Sequence, residues 1–317
     1  MDLLRLPLLV LIEVFKNMDF YEKFWISLLS KRAKKTMKLT CVIPYFSFGL
    51  TESFDIHWEQ DSWNNYTERD YCIGGIQMTL NFRSFSLTLL NGTYRQQLVL
   101  AGHLLDSFKV SEISVAFTDP TLSASVLEFM KMINQRQVSI QKFSYQVNGD
   151  SSEFIPRILD ECTEVTDFIS ISAFFPDDFV YIPSRKFKAT SFYVGSRTNW
   201  FDLGSFMNCR RITMKLSIES NRTVQCWSSI FTKWMDSDVG LQRLTLTHIE
   251  ESGKQLIMEA LSHQGTSRFI EEYMTEMKRR DGSEFFIYAF DNFIVIHTKQ
   301  AYLERLRILS RARNPAN

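Results

Sequence analysis

The sequence predicts an α+β chain in four stretches: a small three-helix domain over residues 1–40, a β-rich connecting region over 41–107, an α/β-type strand-helix solenoid over 108–300 closed by a β-hairpin, and a basic C-terminal helix or tail over 301–317. Three observations predict it. The first forty residues carry three separate helix-period segments with start signals. From residue 108 short alternating strands recur, "EISVAF", "KFSYQV", "FISISAF", "TSFYVG", "RITMKLSI" and "LQRLTLT", interleaved with helix-period segments. Near the end, "DGSEFFIYAFDNFIVIHT" holds two alternating runs around Asp291-Asn292, the pattern of a hairpin.

Each N-terminal segment has its own signal. Leu6-Pro7 reads as a helix start, with proline at the first helical position, and the helix extends to Lys16 or Met18. Its apolar residues, Leu8 to Ile12 with Val14, Phe15 and Met18, fill far more than the stripe of about 100° that one core face needs, so two separate surfaces must bury it. Asp19 and Glu22 have capping-box spacing ahead of a second helix. Ser30 caps a third, "KRAKKTMKL", with Ala33 and Met37 on one side and lysines on the other. A unit of forty residues buries too little to be stable alone, and two outcomes stay open: the excess apolar surface docks a partner, or it packs on the rest of the chain.

Between Leu39 and Phe108, "CVIPYFSFGL", "SFDIHWE", "GGIQMTLNF" and "SFSLTLL" alternate as strands, and "EQDSWNNYTERD" and "LNGTYRQQ" separate them. Gly74-Gly75 reads as a turn or bulge, because no phosphate-loop pattern accompanies it. Further on, the strand anchors Ile113, Phe143, Ile169, Phe192, Ile212 and Leu244 lie 30, 26, 23, 20 and 32 residues apart, a leucine-rich-repeat-like period. Helices are expected around Val126 and Ile133, Ile158, Leu203 and Met207, Trp227 and Phe231, and Leu256 and Ala260, whereas "PDDFVYIPSRK" reads as loop. A doubly wound α/β domain is the competing fold, but it wants longer helices and a glycine-rich first turn.

Composition narrows the function. Lys+Arg and Asp+Glu balance at 36 each, so no overall field recruits nucleic acid or an anionic membrane. Five cysteines without a C-x-x-C pair argue against a disulfide framework and a thiolate zinc site. The five histidines form no ligand pair, no catalytic signature is present, and neither a cofactor nor a metal is expected. The apolar run before Glu13 has no cleavage site after it, and no run reaches the roughly 18 residues of a membrane span. The expectation is a non-enzymatic protein of the cytoplasm or nucleus, with no membrane partner. The basic "KRAKK" reads as a solvated helix face rather than a nucleic-acid contact.

Residues 3 to about 38, "LLRLPLLVLIEVFKNMDFYEKFWISLLSKRAKK", resemble an F-box: a Leu-Pro start, a helix of mixed aliphatics, an acid-capped second helix, and the "SLLSKR" segment. The resemblance implies binding to the Skp-type adaptor of a cullin-based ubiquitin ligase, and so to a cullin. Position by position it implies adaptor contacts at Leu6, Pro7, Ile12, Val14, Phe15, Ile26, Ser27, Leu28, Ser30 and Lys31. Ile26 departs from a more usual leucine, and Leu29 stands where a cysteine is common. Behind it, "GHLLDSFKVSEISV", "FMNCRRITMKL", "WSSIFTKWMDSDVGLQRLTL" and "RRDGSEFFIYAFDNFIVI" resemble the nematode F-box-associated domain of type 2, over roughly 100 to 297. That resemblance implies recruitment of a protein target.

A target would meet the concave strand face. Alternation turns Ser170, Ser172, Ser191, Tyr193, Thr213, Lys215, Arg243, Thr245 and Thr247 outward, with Ser114, Ala116, Ser144 and Gln146 before them. Tyr193, Lys215 and Arg243 are the long side chains on it and the candidate target contacts. The alternative function is a repeat-type interaction or nucleic-acid-associated scaffold with no ubiquitin role, whose N-terminal helices pack internally.

Overall fold

A computed structural model describes residues 5–58, 67–150, 152–196, 198–216, 222–237, 239–279 and 281–313, the side chains of 149–150 and 311–313 excepted. The chain forms two compact units, one of residues 1–147 with 164–166 and one of 148–163 with 167–317.

In the first unit, helices α1 (Leu8–Lys16), α2 (Phe20–Leu29) and α3 (Lys31–Thr40) precede strands β1 (Val42–Leu50), β2 (Phe54–Trp58), β3 (Thr67–Ile73), β4 (Ile76–Arg83) and β5 (Ser86–Leu90). Helix α4 (Tyr94–Ser107), strand β6 (Lys109–Thr118), helix α5 (Ser123–Asn134) and strand β7 (Ser139–Asp150) follow. The sheet order is β7-β6-β1-β2-β5-β4-β3. β1 runs parallel to β6 with Phe46, Phe48 and Leu50 opposite Ile113, Val115 and Phe117, and the strands beyond β1 pair antiparallel. Alternate residues Phe46, Phe48, Leu50, Ile56, Leu80, Phe82, Leu87 and Leu89 are buried, as period 2 requires of a sheet with one covered face. From α5, Phe129 packs against Phe48, Phe54 and Phe117 at 5.6–6.1 Å between ring centres.

Two features of this unit depart from expectation. The polar "TERD" continues into β3, and Gly74 and Gly75, at φ 59° and 80°, turn it into β4 with Ile73 opposite Ile76. Only residues free of a Cβ penalty take both positions of such a two-residue turn easily. The rest of that polar segment, 59–66, lies outside the described residues. "LNGTYRQQ" is no mere separator: Thr93 and Gln96 form a reciprocal capping box that opens α4, so 41–107 is not all β.

The second unit comprises α6 (Ile155–Glu161), β8 (Phe168–Phe174), β9 (Ser191–Ser196), a 3-10 turn (Leu203–Ser205), β10 (Arg211–Lys215), α7 (Val224–Asp236), β11 (Arg243–Thr247) and α8 (Glu251–Ser262). Strands β12 (Thr266–Glu271), β13 (Met274–Lys278), β14 (Glu284–Phe290) and β15 (Phe293–Thr298) and helix α9 (Lys299–Arg313) complete it. β8, β9, β10 and β11 are parallel neighbours, and β15, β14, β13 and β12 extend the sheet antiparallel beyond β11.

The sequence anchors do line up: Ile169, Phe192, Ile212 and Leu244 occupy one cross-strand row and are all buried. The leucine-rich-repeat-like solenoid is nevertheless corrected to a mixed sheet with helices. β8 reaches β9 through an irregular segment, 175–190, and among the described residues the one helical piece between β9 and β10 is the 3-10 turn, where a helix over Leu203 and Met207 was expected. Aromatic side chains occupy that side of the sheet instead, with Phe206 lying 4.9 Å from Phe192, 4.1 Å from Phe201 and 5.5 Å from Phe187. Arg222 ties the same region by donating to the carbonyls of Thr198 and Phe201 at 3.0 and 2.9 Å. A spacing near 26 residues therefore measures strand plus crossover in a parallel run, not a repeated unit.

The C-terminal hairpin is present, with Phe290 opposite Phe293 across Asp291-Asn292. It extends the sheet from β11 rather than capping a repeat stack, and β12 and β13 continue outward from it. Helix α9 begins at Lys299 and is docked by Tyr302, whose ring stacks on Phe286 at 4.1 Å.

Candidate functional site

The three N-terminal helices are assembled by the signals the sequence carries. Pro7 sits at the N-cap of α1, one residue earlier than expected, and its carbonyl accepts the first helical bond from the Leu11 N–H at 3.0 Å. The Glu22 N–H donates to Asp19 Oδ1 at 2.7 Å and the Asp19 N–H to Glu22 Oε2 at 3.1 Å, closing the capping box of α2. Ser30 Oγ accepts from the Ala33 N–H at 3.1 Å and starts α3.

One side of this trio packs on its own unit. The Phe20 ring lies 4.1 Å from Trp58, 5.4 Å from Phe108 and 5.7 Å from Phe46. Phe24 meets Phe82, Tyr71 and His103 at 5.2, 5.7 and 5.8 Å. Lys38 donates to the Leu105 and Phe108 carbonyls at 2.5 and 2.7 Å, which satisfies the open C-terminal end of α4. Lys34 reaches Asp106 at 3.4 Å, and Arg136 holds the same carboxylate at 2.9 Å. The lysines of "KRAKK" are thus not a uniform solvated face: Lys34 is committed to α4, while Lys31 and Lys35 remain exposed.

The other side is bare. Leu8, Leu9 and Val10 of α1 are exposed, Leu9 at 77%, and so is Leu29 of α2 at 70%. The expected contact residues divide accordingly. Pro7, Ser30 and Lys31 are exposed, and Leu6, Ile12, Val14, Ile26 and Leu28 are half-buried. Phe15, at 1%, and Ser27, at 3%, are buried within the unit. Leu8, Leu9, Val10 and Leu29 are exposed apolar residues that the expected set does not include. For the three on α1 the sequence signal is the apolar excess of that helix, because Leu11 and Phe15 already supply its i, i+4 core stripe.

Ser27 is bound into a small polar cluster. Its hydroxyl donates to the Phe24 carbonyl at 2.6 Å, and the Ser107 hydroxyl donates to the His103 carbonyl at 2.6 Å. Both hydroxyl protons are thereby used, so His103 is the donor from Nε2, to Ser27 at 2.9 Å and Ser107 at 3.3 Å. Burial pushes the His103 pKa down to about 4; the Lys34 cation lowers it further, and Asp106 opposes. The folded value lies below the unfolded one near 6.5, so its contribution is complete above that pH and is lost as pH falls toward 4. Urea unfolding is expected to show a loss on the order of 2 kcal/mol from this group between pH 7 and 4.5. His103→Gln keeps a donor without titrating and flattens that part of the profile; an unchanged profile would overturn the assignment.

A second candidate surface lies on the sheet of the other unit. Tyr193, Lys215 and Arg243 are half-buried and project from the same face as Thr213, Thr245 and Thr247. Tyr193, Thr213 and Thr245 form one cross-strand row; Ser191, Arg211, Arg243 and His297 form the next. Alternation places these outward as expected, whereas Ser114 in the first unit is buried, and its hydroxyl has no partner among the described residues. The structure adds what the sequence did not predict: α9 lies along this face beside β15, bringing Arg305 Nη1 within 3.5 Å of His297 Nε2.

Among the described residues there is no group of three metal-ligating side chains and no helix long and apolar enough to cross a membrane.

Residues 3–42 match the F-box domain family. A search of curated proteins finds no match. The N-terminal helices are therefore an F-box domain, a module that implies binding to a Skp-type adaptor of cullin-based ubiquitin ligases and that is generally non-catalytic.

Proposed function

We propose that this chain is the substrate-recognition subunit of a Skp-cullin-F-box ubiquitin ligase, non-catalytic itself, holding an adaptor by its first helices and a protein target by its C-terminal region. The observation that carries the reading is the exposed apolar face of Leu8, Leu9 and Val10 on an F-box domain whose opposite face is already buried. A face of that kind on a folded protein marks an interface, and the adaptor is the partner the domain implies. The C-terminal region is read as a nematode-type F-box-associated domain, with Tyr193, Lys215 and Arg243 as target contacts.

The chain would act by proximity: tethering a target beside the charged conjugating enzyme raises effective concentration, with no chemistry from this protein. A cytoplasmic or nuclear setting accords with five unpaired thiols, Cys41, Cys162 and Cys209 of them buried. The test is co-expression with a Skp-type adaptor followed by gel filtration. A joint peak is expected, and a folded wild-type chain that elutes without adaptor overturns the reading.

A further inference from the structure

Arginine side chains converge on the polar sheet face, and among the described residues a single carboxylate, Asp167, pairs with any of them. Arg211 and Arg243 are register partners on β10 and β11, and Arg243 is in turn opposite His297 on β15. Arg305 enters from α9, stacked over the Tyr288 ring at 4.9 Å with a guanidinium nitrogen 3.5 Å from His297 Nε2. His297 is 1% exposed. It accepts from Arg305, so its proton sits on Nδ1, which has no partner among the described residues.

Arg243 spends its Nε–H on Thr245 Oγ1 at 3.2 Å, and no carboxylate among the described residues pairs with Arg243 or Arg305. Asp167 approaches Arg211 only to 3.9 Å and already accepts from the Thr190 hydroxyl at 3.0 Å. The charge on Arg243 is disfavoured by burial first, then by Arg305 and Arg211. Burial and then Arg243 and Arg305 also push His297 down to about 4, leaving it neutral near pH 7, so the positive potential comes from the guanidiniums.

We propose that Arg211, Arg243 and Arg305 form a subsite for one oxyanion, a phosphate monoester or a carboxylate, carried by the peptide target; this rests on the target-recognition reading above. Guanidinium forks match such oxyanions in planar, bidentate geometry, and an arriving anion relieves the mutual repulsion of the cluster. A peptide fits better than a nucleic acid. The chain balances 36 basic against 36 acidic residues, so the positive potential is local, sized for one group and not for a row of phosphates. The hydroxyls of Ser191, Thr213 and Thr245 beside it can pair with peptide backbone.

The test is a thermal-shift titration of the full chain, without adaptor, with sodium phosphate, sodium acetate and sodium chloride at matched ionic strength and constant pH. Phosphate at about 10 mM is expected to raise Tm by about 2 °C or more over chloride; a matching acetate response would identify a carboxylate subsite, and its lack a phosphate subsite. Arg243→Met and Arg305→Met should each abolish the shift. In the absence of phosphate, Arg243→Met should melt at or above the wild-type temperature, because a repelling charge has been removed. The proposal is overturned if phosphate and acetate both act no differently from chloride, if the variants respond as wild type does, or if a single-stranded oligonucleotide binds the same arginines more tightly than either small anion. Adaptor is absent from the titration, so failure here leaves the co-purification result standing, and failure of co-purification leaves this one standing.

Discussion

A chain that starts at residue 41 is expected to lose its first folded unit. Removing the F-box helices uncovers Phe46, Phe82 and Phe108, each fully buried, together with Trp58 and Tyr71. It also takes Phe20, Phe24, Ala33 and Met37 out of the core. Phe24→Ala alone should cost about 3–5 kcal/mol, since the cavity left among Tyr71, Phe82 and His103 is ringed by rigid aromatics. Loss of several such side chains exceeds the roughly 5–15 kcal/mol that stabilises an ordinary domain. Limited proteolysis of residues 41–317 should therefore cut within 41–147 under conditions where the full chain resists. Equal resistance would mean that the helices are a separable module. A stable remainder would ordinarily be expected of a modular adaptor-binding segment, whereas here burial makes the same helices part of the unit's core.

Leu9→Asp and Leu29→Asp are each expected to weaken adaptor binding by about a hundredfold or more while moving Tm by no more than about 2 °C. A carboxylate forced into an apolar contact must be desolvated or must hold the contact open, and about 3 kcal/mol of such cost is a hundredfold in affinity. In the free protein both side chains already face solvent, so little folding energy is at stake. Phe15→Asp cannot make the same test, because it buries a charge in the unit's core and unfolds the helices that present the interface. Pull-down with adaptor and a melting curve on the same preparations separate the two effects. Retained binding in both exposed variants would move the adaptor contact elsewhere.

The alternative of an internally packed N-terminus is half realised. Leu11 and Phe15 of α1 are buried in the unit, yet Leu8, Leu9 and Val10 of the same helix stay bare, so one face of the greasy helix packs on the chain and the other is left open. Much of this was legible in local patterns. Capping boxes act within four residues, which is why Asp19-Glu22 could be read directly and why Thr93-Gln96 carried the same signal for α4. The strand anchors were legible too, since burial on one face imposes period 2 wherever the strand lies.

What the sequence alone determined was therefore the set of local elements and their inner faces: the three N-terminal helices, two of them capped by Asp19 and Ser30, the buried row through Ile169, Phe192, Ile212 and Leu244, and the hairpin at Asp291-Asn292. Only the tertiary structure decided how they combine. Strand pairing joins residues far apart in the chain, as when β11 takes β15 for its neighbour, and no spacing along the sequence encodes which of two edges a strand will meet. The same long-range pairing turned an apparent repeat into a mixed sheet. It also brought Arg305, near the end of the chain, beside Arg243.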